Sequence, residues 1–392
     1  MTHKNLSKKA ALKFVIFLGI VSLFADMTYE GARSISGQYL AILGASGTVV
    51  GIVAGFGEFI GYGFRLVSGY ISDRSGKYWL LVFVGYAVNL FAVPLLALAG
   101  NWPLAASLMI LERFGKAIRS PSKDAMLSYA TKEIGRGWGF GLHEAMDQIG
   151  AILGPLIVSV VLYYQGSYQQ SFALLLIPAL CALSVLTAAR LLYPRPQDLE
   201  IENPDFKCKA FSKTYWLYIS AICCVGAGYV DFSLIAYHFE KVSIIPKAWV
   251  PIFFAISMGA AGLSALICGR LYDKKGISTL IYATAISAFF VPLVFIDGFY
   301  WALIGLVLWG VGIGAQESIM RAIVANMVSK NIRGTAYGMM NIWFGGFWFL
   351  GSSLMGFLYD TSLVSLIIFS LCIQLAAIPI LFVVKRAQSS HI

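Results

Sequence analysis

Residues 69–77, Gly69-Tyr70-Ile71-Ser72-Asp73-Arg74-Ser75-Gly76-Lys77, have a counterpart two hundred residues later, Gly269-Arg270-Leu271-Tyr272-Asp273-Lys274-Lys275-Gly276. Gly69, Asp73, Arg74 and Gly76 meet Gly269, Asp273, Lys274 and Gly276 at one spacing. Each copy joins two long apolar runs. A short loop with an acid, a base and two glycines suits a tight turn between helices at a membrane face. Glycine reaches backbone conformations that such turns need and other residues avoid. The double occurrence divides the chain into two related halves.

Working outward, the runs on either side are too apolar for a soluble fold. The 392 residues are 59% hydrophobic and 12% charged, with a mean hydropathy of +0.77. That composition belongs to an integral membrane protein. Within hydrocarbon the backbone must satisfy its own hydrogen bonds, so the runs are helices. At roughly 20 residues per crossing, the chain has room for about twelve spans. They fall at 12–43, 47–71, 78–99, 103–130, 137–164 and 170–193, then 213–240, 248–271, 278–297, 299–328, 334–360 and 363–386. Between the sets lies a polar segment with three prolines, so the expected domains are 1–193 and 213–392, joined by a linker at 194–212.

The net charge of +10 records topology. Bases gather at Lys4 to Lys13, Arg74 and Lys77, Lys132 and Arg136, Arg190 to Lys213, Arg270 to Lys275, Lys330 and Arg333, and Lys385 and Arg386. The connections at 44–47, 100–103 and 165–170 carry none. This alternation places both termini in the cytoplasm, with the chain in the inner membrane, and leaves no patch for nucleic acid. Asp26 interrupts the first apolar run and no small-residue cleavage site follows, so that run reads as an uncleaved span. The six cysteines lack metal-ligand spacing and read as small packing residues, so no metal or other cofactor is expected. No Gly-x4-Gly-Lys-Ser/Thr loop occurs to bind a nucleotide.

The halves match beyond the loops. Gly115 and Ala125 fall opposite Gly312 and Ala322 at an offset of 197, and Arg136-Gly137-Trp138-Gly139-Phe140-Gly141 parallels Arg333-Gly334-Thr335-Ala336-Tyr337-Gly338. Six spans per half make the repeats parallel, related by a pseudo-two-fold axis along the membrane normal. Loop, repeats and span count together resemble the major facilitator superfamily over essentially the whole chain. The resemblance implies an all-α fold of two six-helix bundles, with spans 3, 6, 9 and 12 peripheral. It also implies a monomer, and that Asp73 and Arg74 help latch the cytoplasmic side. Gly141-x8-Gly150-x3-Gly154-Pro155 in span 5 resembles the glycine-proline signature of drug/proton antiporters, without its closing glycine pair. The competing reading is that these small residues let spans 5 and 8 approach closely. Arg113-x2-Lys116-Ala117 is similar to the family's Arg-x2-Gln-Gly element, with two departures.

Charges within the spans carry the functional reading. Span 1 holds Asp26, Glu30 and Arg33; span 2 holds Glu58 and Arg65; span 4 holds Glu112, Arg113, Lys116 and Arg119. Span 5 holds His143, Glu144 and Asp147, span 7 holds Asp231 and His238, and span 10 holds Glu317 and Arg321. Spans 3, 6, 9 and 12 have no interior charge. A charge at the bilayer centre costs several kcal/mol on insertion scales, so these groups face a cavity or one another. Asp26, Glu30 and Arg33 share one helical face, as do Glu112, Lys116, Arg119 and Lys123. Glu30 with Arg33, Glu58 with Arg65, and Glu317 with Arg321 read as internal pairs. Span 4 carries three bases against one acid, so either neighbouring helices or an anionic solute must neutralise it. Asp26 and Asp231 are the candidate proton carriers. His143 with Asp147 is either a relay or a hydrogen-bonded packing pair.

Span 11 offers Trp343, Phe347 and Leu350 on one face, either a lipid-facing belt or an aromatic cavity wall. The chain therefore reads as a secondary transporter, not an enzyme: no nucleophile–base pair or metal spacing lies at depth. The leading expectation is export of a small organic solute by proton antiport. The alternative is proton-coupled uptake of an anionic or zwitterionic metabolite such as a carboxylate or siderophore-like ligand. The expected partners are that solute, protons and the lipid bilayer.

Overall fold

The computed structural model of the chain describes residues 8–134, 136–194, 211–243, 245–296, 298–328 and 333–389. The expected linker lies outside the described residues over 195–210, as do the side chain of Asp73 and the surroundings of Gly141. All regular structure among the described residues is helical. The order is α1 (Lys8–Ile42), α2 (Gly47–Ser75), α3 (Tyr78–Leu95), α4 (Trp102–Ile134), α5 (Arg136–Tyr163), α6 (Tyr168–Leu174) and α7 (Leu176–Leu192). There follow α8 (Lys213–Gly228), α9 (Phe232–Val242), α10 (Trp249–Lys275), α11 (Ser278–Ser287), α12 (Phe290–Phe295), α13 (Phe299–Met327), α14 (Arg333–Thr361) and α15 (Leu363–Ser389).

Among the described residues, 11 segments are long and apolar enough to cross a membrane. The twelfth span is α4, with 33 residues but Glu112, Arg113, Lys116, Arg119, Lys123 and Asp124 in its middle. The fold is thus an all-α membrane protein of twelve spans in two six-helix bundles. Three spans expected to be continuous are interrupted, at α6/α7, α8/α9 and α11/α12.

Both copies of the repeated loop end their helix in one way. Gly76 and Gly276 have φ of 62° and 58°, and their amides bond back to Ser72 and Tyr272 at 2.9 and 2.8 Å. A left-handed residue just past a helix is where glycine avoids the Cβ penalty. Gly69 and Gly269 lie inside α2 and α10, so the turn falls to the later glycine of each copy. Arg74 donates to the Tyr70 hydroxyl at 3.0 Å.

By contact the chain forms two compact units, Met1–Arg33 with Gly63–Asn203, and Ser34–Tyr62 with Pro204–Ile392. In the first, Phe14, Leu18, Tyr78, Val82, Leu90, Met126 and Leu186 from α1, α3, α4 and α7 share one core. Gly85 and Gly115 let α3 and α4 approach to backbone contact, since a Cβ at Gly115 would lie 2.4 Å from the Asn89 nitrogen. Gly150 and Gly154 of α5 do the same against Leu23 and Met27 of α1. Pro121 inside α4 has no amide to offer Ala117, four residues back. The Ser68 hydroxyl of α2 takes that carbonyl at 2.7 Å.

In the second unit, Tyr229, Phe232, Phe254 and Trp309 form a buried aromatic cluster. The break between α8 and α9 sits beside it. The Gly228 carbonyl, which no helical amide takes, accepts from Gln374 at 3.0 Å and from the Ser370 hydroxyl. Asp231 caps the restart, its carboxylate accepting from the Ser233 amide at 2.8 Å. This interruption is therefore closed within the protein, as the membrane interior demands. On α14, Phe344 and Trp348 are buried against Tyr62 and Tyr229, whereas Trp343, Phe347 and Leu350 are exposed.

Candidate functional site

The charged groups of the first unit converge where α1, α3, α4 and α5 meet. Glu112 on α4 is held from two sides. The Asn89 amide of α3 donates to its side chain at 2.6 Å and to its carbonyl at 3.0 Å, and Arg113 pairs with it at 3.3 Å. The helix approach at Gly115 brings Asn89 within reach. On α1, Glu30 and Arg33 pair at 3.8 Å, as the spacing predicts. Asp26 and Glu30 are both 7% exposed.

Two cations of α4 are held differently. Lys116 Nζ lies 4.0 Å from the centre of the Tyr29 ring. The Arg119 guanidinium lies 4.2 Å from the Tyr86 ring and 5.8 Å from Tyr29. Neither makes an ion pair within 4.0 Å among the described residues, and Arg119 Nε is buried with no hydrogen-bond partner. A cation over an aromatic face gains up to about 2 kcal/mol when desolvated. Burying an ion costs several kcal/mol even after relaxation. The rings alone therefore leave these charges under-compensated. Asp26 is the nearest counterpart in kind. It makes no hydrogen bond or ion pair among the described residues, yet stands within electrostatic reach of Lys116, Arg119, Glu30 and Asp147.

A second cluster sits along α5. His143 Nδ1 lies 3.4 Å from Asp147, while Nε2 faces the Ser22 hydroxyl at 3.0 Å and Lys123 Nζ at 3.4 Å. A lysine ammonium can only donate, so Nε2 is the acceptor and the ring proton sits on Nδ1, directed at Asp147. Lys123 also lies 3.9 Å from Asp124. Glu144 is exposed and accepts from Gln148 at 3.2 Å.

The remaining candidates fall elsewhere. Glu58 belongs to the second unit and Arg65 to the first. Asp231 and His238 are buried in the second unit, with His238 3.0 Å from the Tyr359 hydroxyl. Glu317 and Arg321 are exposed on α13. Pro155 lies inside α5, beside the two glycines packed on α1. Tyr29, Tyr86, Asn89 and Ser22 were not singled out by charge. Asn89 had a signal, as the one amide in the apolar run of α3. No group of three or more histidine, cysteine, aspartate or glutamate side chains suited to a metal ion occurs among the described residues.

Comparison with known proteins agrees with this architecture. An uncharacterized protein of Mycobacterium tuberculosis is 38% identical over 383 residues, covering 96% of this chain and 94% of that one. A multidrug resistance protein, MdtH of Proteus mirabilis, is 30% identical over 131 residues, covering 33% of this chain and 32% of its own. Among solved structures, a bacterial homologue of the human lysosomal transporter Spinster superposes with a TM-score of 0.74 at 13% identity. It covers 96% of this chain and 97% of its own. A profile of the Major Facilitator Superfamily matches residues 16–352, and on that match the chain belongs to this superfamily of membrane transporters.

Proposed function

We propose that the protein is a proton-coupled secondary transporter that moves a small organic solute by alternating access, with export by proton antiport as its direction. The observation that carries this reading is Asp26, a buried carboxylate with no hydrogen bond or ion pair among the described residues, beside two cations and two further acids. A carboxylate so placed exchanges its proton when the surrounding charge changes, which is what coupling requires. The partial similarity to MdtH and the glycine-proline element of α5 support the outward direction. In this reading the chain is a monomer of the inner membrane with cytoplasmic termini, and Asp73 and Arg74 brace its basic face.

A second reading, uptake of an anionic or zwitterionic metabolite, is favoured by Lys116 and Arg119, which no carboxylate contacts within ion-pair distance among the described residues. The test is proton flux in proteoliposomes on addition of candidate solutes, wild type beside Asp26→Asn. Solute-dependent proton movement in the wild type, absent in the variant, supports the proposal. Proton movement undiminished in Asp26→Asn would remove it.

A further inference from the structure

On the face that loop charge assigns to the outside, α2 begins at Gly47 and its first amides point at another helix. Gly47 N donates to Asp360 Oδ1 at 2.8 Å, and Thr48 N and Oγ1 donate to Oδ2 at 2.7 and 2.6 Å. Asp360 is the penultimate residue of α14. Ser46 caps the same helix end from its own chain, accepting from the Val49 amide at 3.2 Å. A helix N-terminus draws a carboxylate through its orphan amides and its positive dipole end. Here the carboxylate comes from a distant part of the chain, so the cap is also a tether.

Below the tether the two helices touch through glycine. A Cβ at Gly51 would lie 2.3 Å from the Ser352 carbonyl, and one at Gly356 would lie 2.5 Å from the Gly47 carbonyl. The end of α1 is held alongside. Gln38 donates to Glu240 at 3.2 Å, Ser36 and Ser233 hydroxyls meet at 3.1 Å, and Tyr237 donates to the Ala45 carbonyl at 3.1 Å. All of these residues lie within the second unit. Deeper along the same two helices Phe56 and Phe59 pack on Phe349 and Tyr62 on Phe344, so aromatic burial holds the inner part of the seam and polar contacts hold its rim. At that rim one carboxylate takes three charge-assisted bonds, two of them exposed and one part-buried, so water can replace them when the helices part.

We infer that Asp360 is the latch of this face: it holds the ends of α1 and α2 against α9 and α14, and lets go when the face opens. The inference rests on the alternating-access reading but not on the identity of the solute or on Asp26. The test uses the full chain with its native cysteines replaced by serine and Ser352→Cys as reporter, because Ser352 is 2% exposed within the seam. Right-side-out and inverted vesicles are treated with an impermeant thiol reagent, without solute or gradient. Asp360→Ala should raise the labelling rate on one side on the order of tenfold, the range expected when charge-assisted bonds are lost. Thr48→Val removes one bond and keeps both amides, so a smaller rise is expected. A rate in Asp360→Ala equal to that of its parent overturns the latch. Where Asp360→Ala does not reach the membrane, Thr48→Val decides alone, and an unchanged rate is again fatal. Because no solute enters the assay, a latch that fails leaves proton coupling standing, and coupling that fails leaves the latch.

Discussion

At the scale of single residues, one question is what neutralises Lys116 and Arg119. If Asp26 and Asp147 do so across the site, Arg119→Gln strands buried carboxylate charge and lowers stability by several kcal/mol. If a solute anion completes the site, the same change spares stability and removes affinity. We expect the structural outcome for Arg119, which lies over the Tyr86 ring and within reach of Tyr29, and the solute outcome for the less buried Lys116. Thermal unfolding of Arg119→Gln and Lys116→Gln, each beside binding of an anionic and a cationic candidate, separates the cases. Asp231 poses the other question, since its carboxylate already caps α9. Asparagine caps a helix about as well as aspartate, whereas alanine costs about 1 kcal/mol. Asp231→Asn should therefore keep both stability and gradient-driven accumulation, and Asp231→Ala should lose stability alone. Accumulation abolished in a stable Asp231→Asn would return that residue to proton carriage. The charges themselves were legible in the sequence, because an acid or base in an apolar run announces itself. Tyr29 and Tyr86 were not, since an aromatic ring in a membrane helix has many ordinary uses.

At the scale of helices, the sequence located the spans because their apolar runs are long and their loops short. It did not show the interruption at Gly228–Asp231, which lies inside one unbroken apolar stretch. What permits the break is a partner in another helix, Gln374 on the Gly228 carbonyl, and that pairing spans 146 residues of chain. The Ser68–Ala117 bond is of the same kind. Pro121 marks a carbonyl in need of a donor, but nothing local says which helix supplies it. Ser68→Ala removes the hydroxyl and leaves a buried carbonyl without its partner. The expected cost is about 1–3 kcal/mol, and Ser68→Thr should restore most of it. Denaturation of the detergent-purified variants measures this directly. An unchanged midpoint in Ser68→Ala would mean that α4 satisfies Ala117 by another route.

At the scale of the whole molecule, the repeated loop and the span count pointed to two six-helix bundles, and the alternating bases predict an orientation that labelling tests. Cysteines at Ser46 and Asn101 should react with an impermeant reagent from outside intact cells, and Asn203→Cys only after the cells are opened. Labelling of position 203 in intact cells would invert the topology, and with it the side on which Asp360 acts. The sense of coupling follows from charge in a comparable way. An anion seated on Lys116 and Arg119 withdraws their field from Asp26, so a proton there becomes more favourable. Solute and proton then bind cooperatively, and by reciprocity each aids the other. They travel together, and addition of the anion should draw protons in the direction of its own flux. A cation at Asp26 competes with the proton instead, and protons should move against the solute. Proteoliposomes carrying an entrapped pH dye report the direction for each class of solute. Protons moving against a cationic or neutral solute support export by antiport. Protons moving with an anion would overturn that direction and establish uptake.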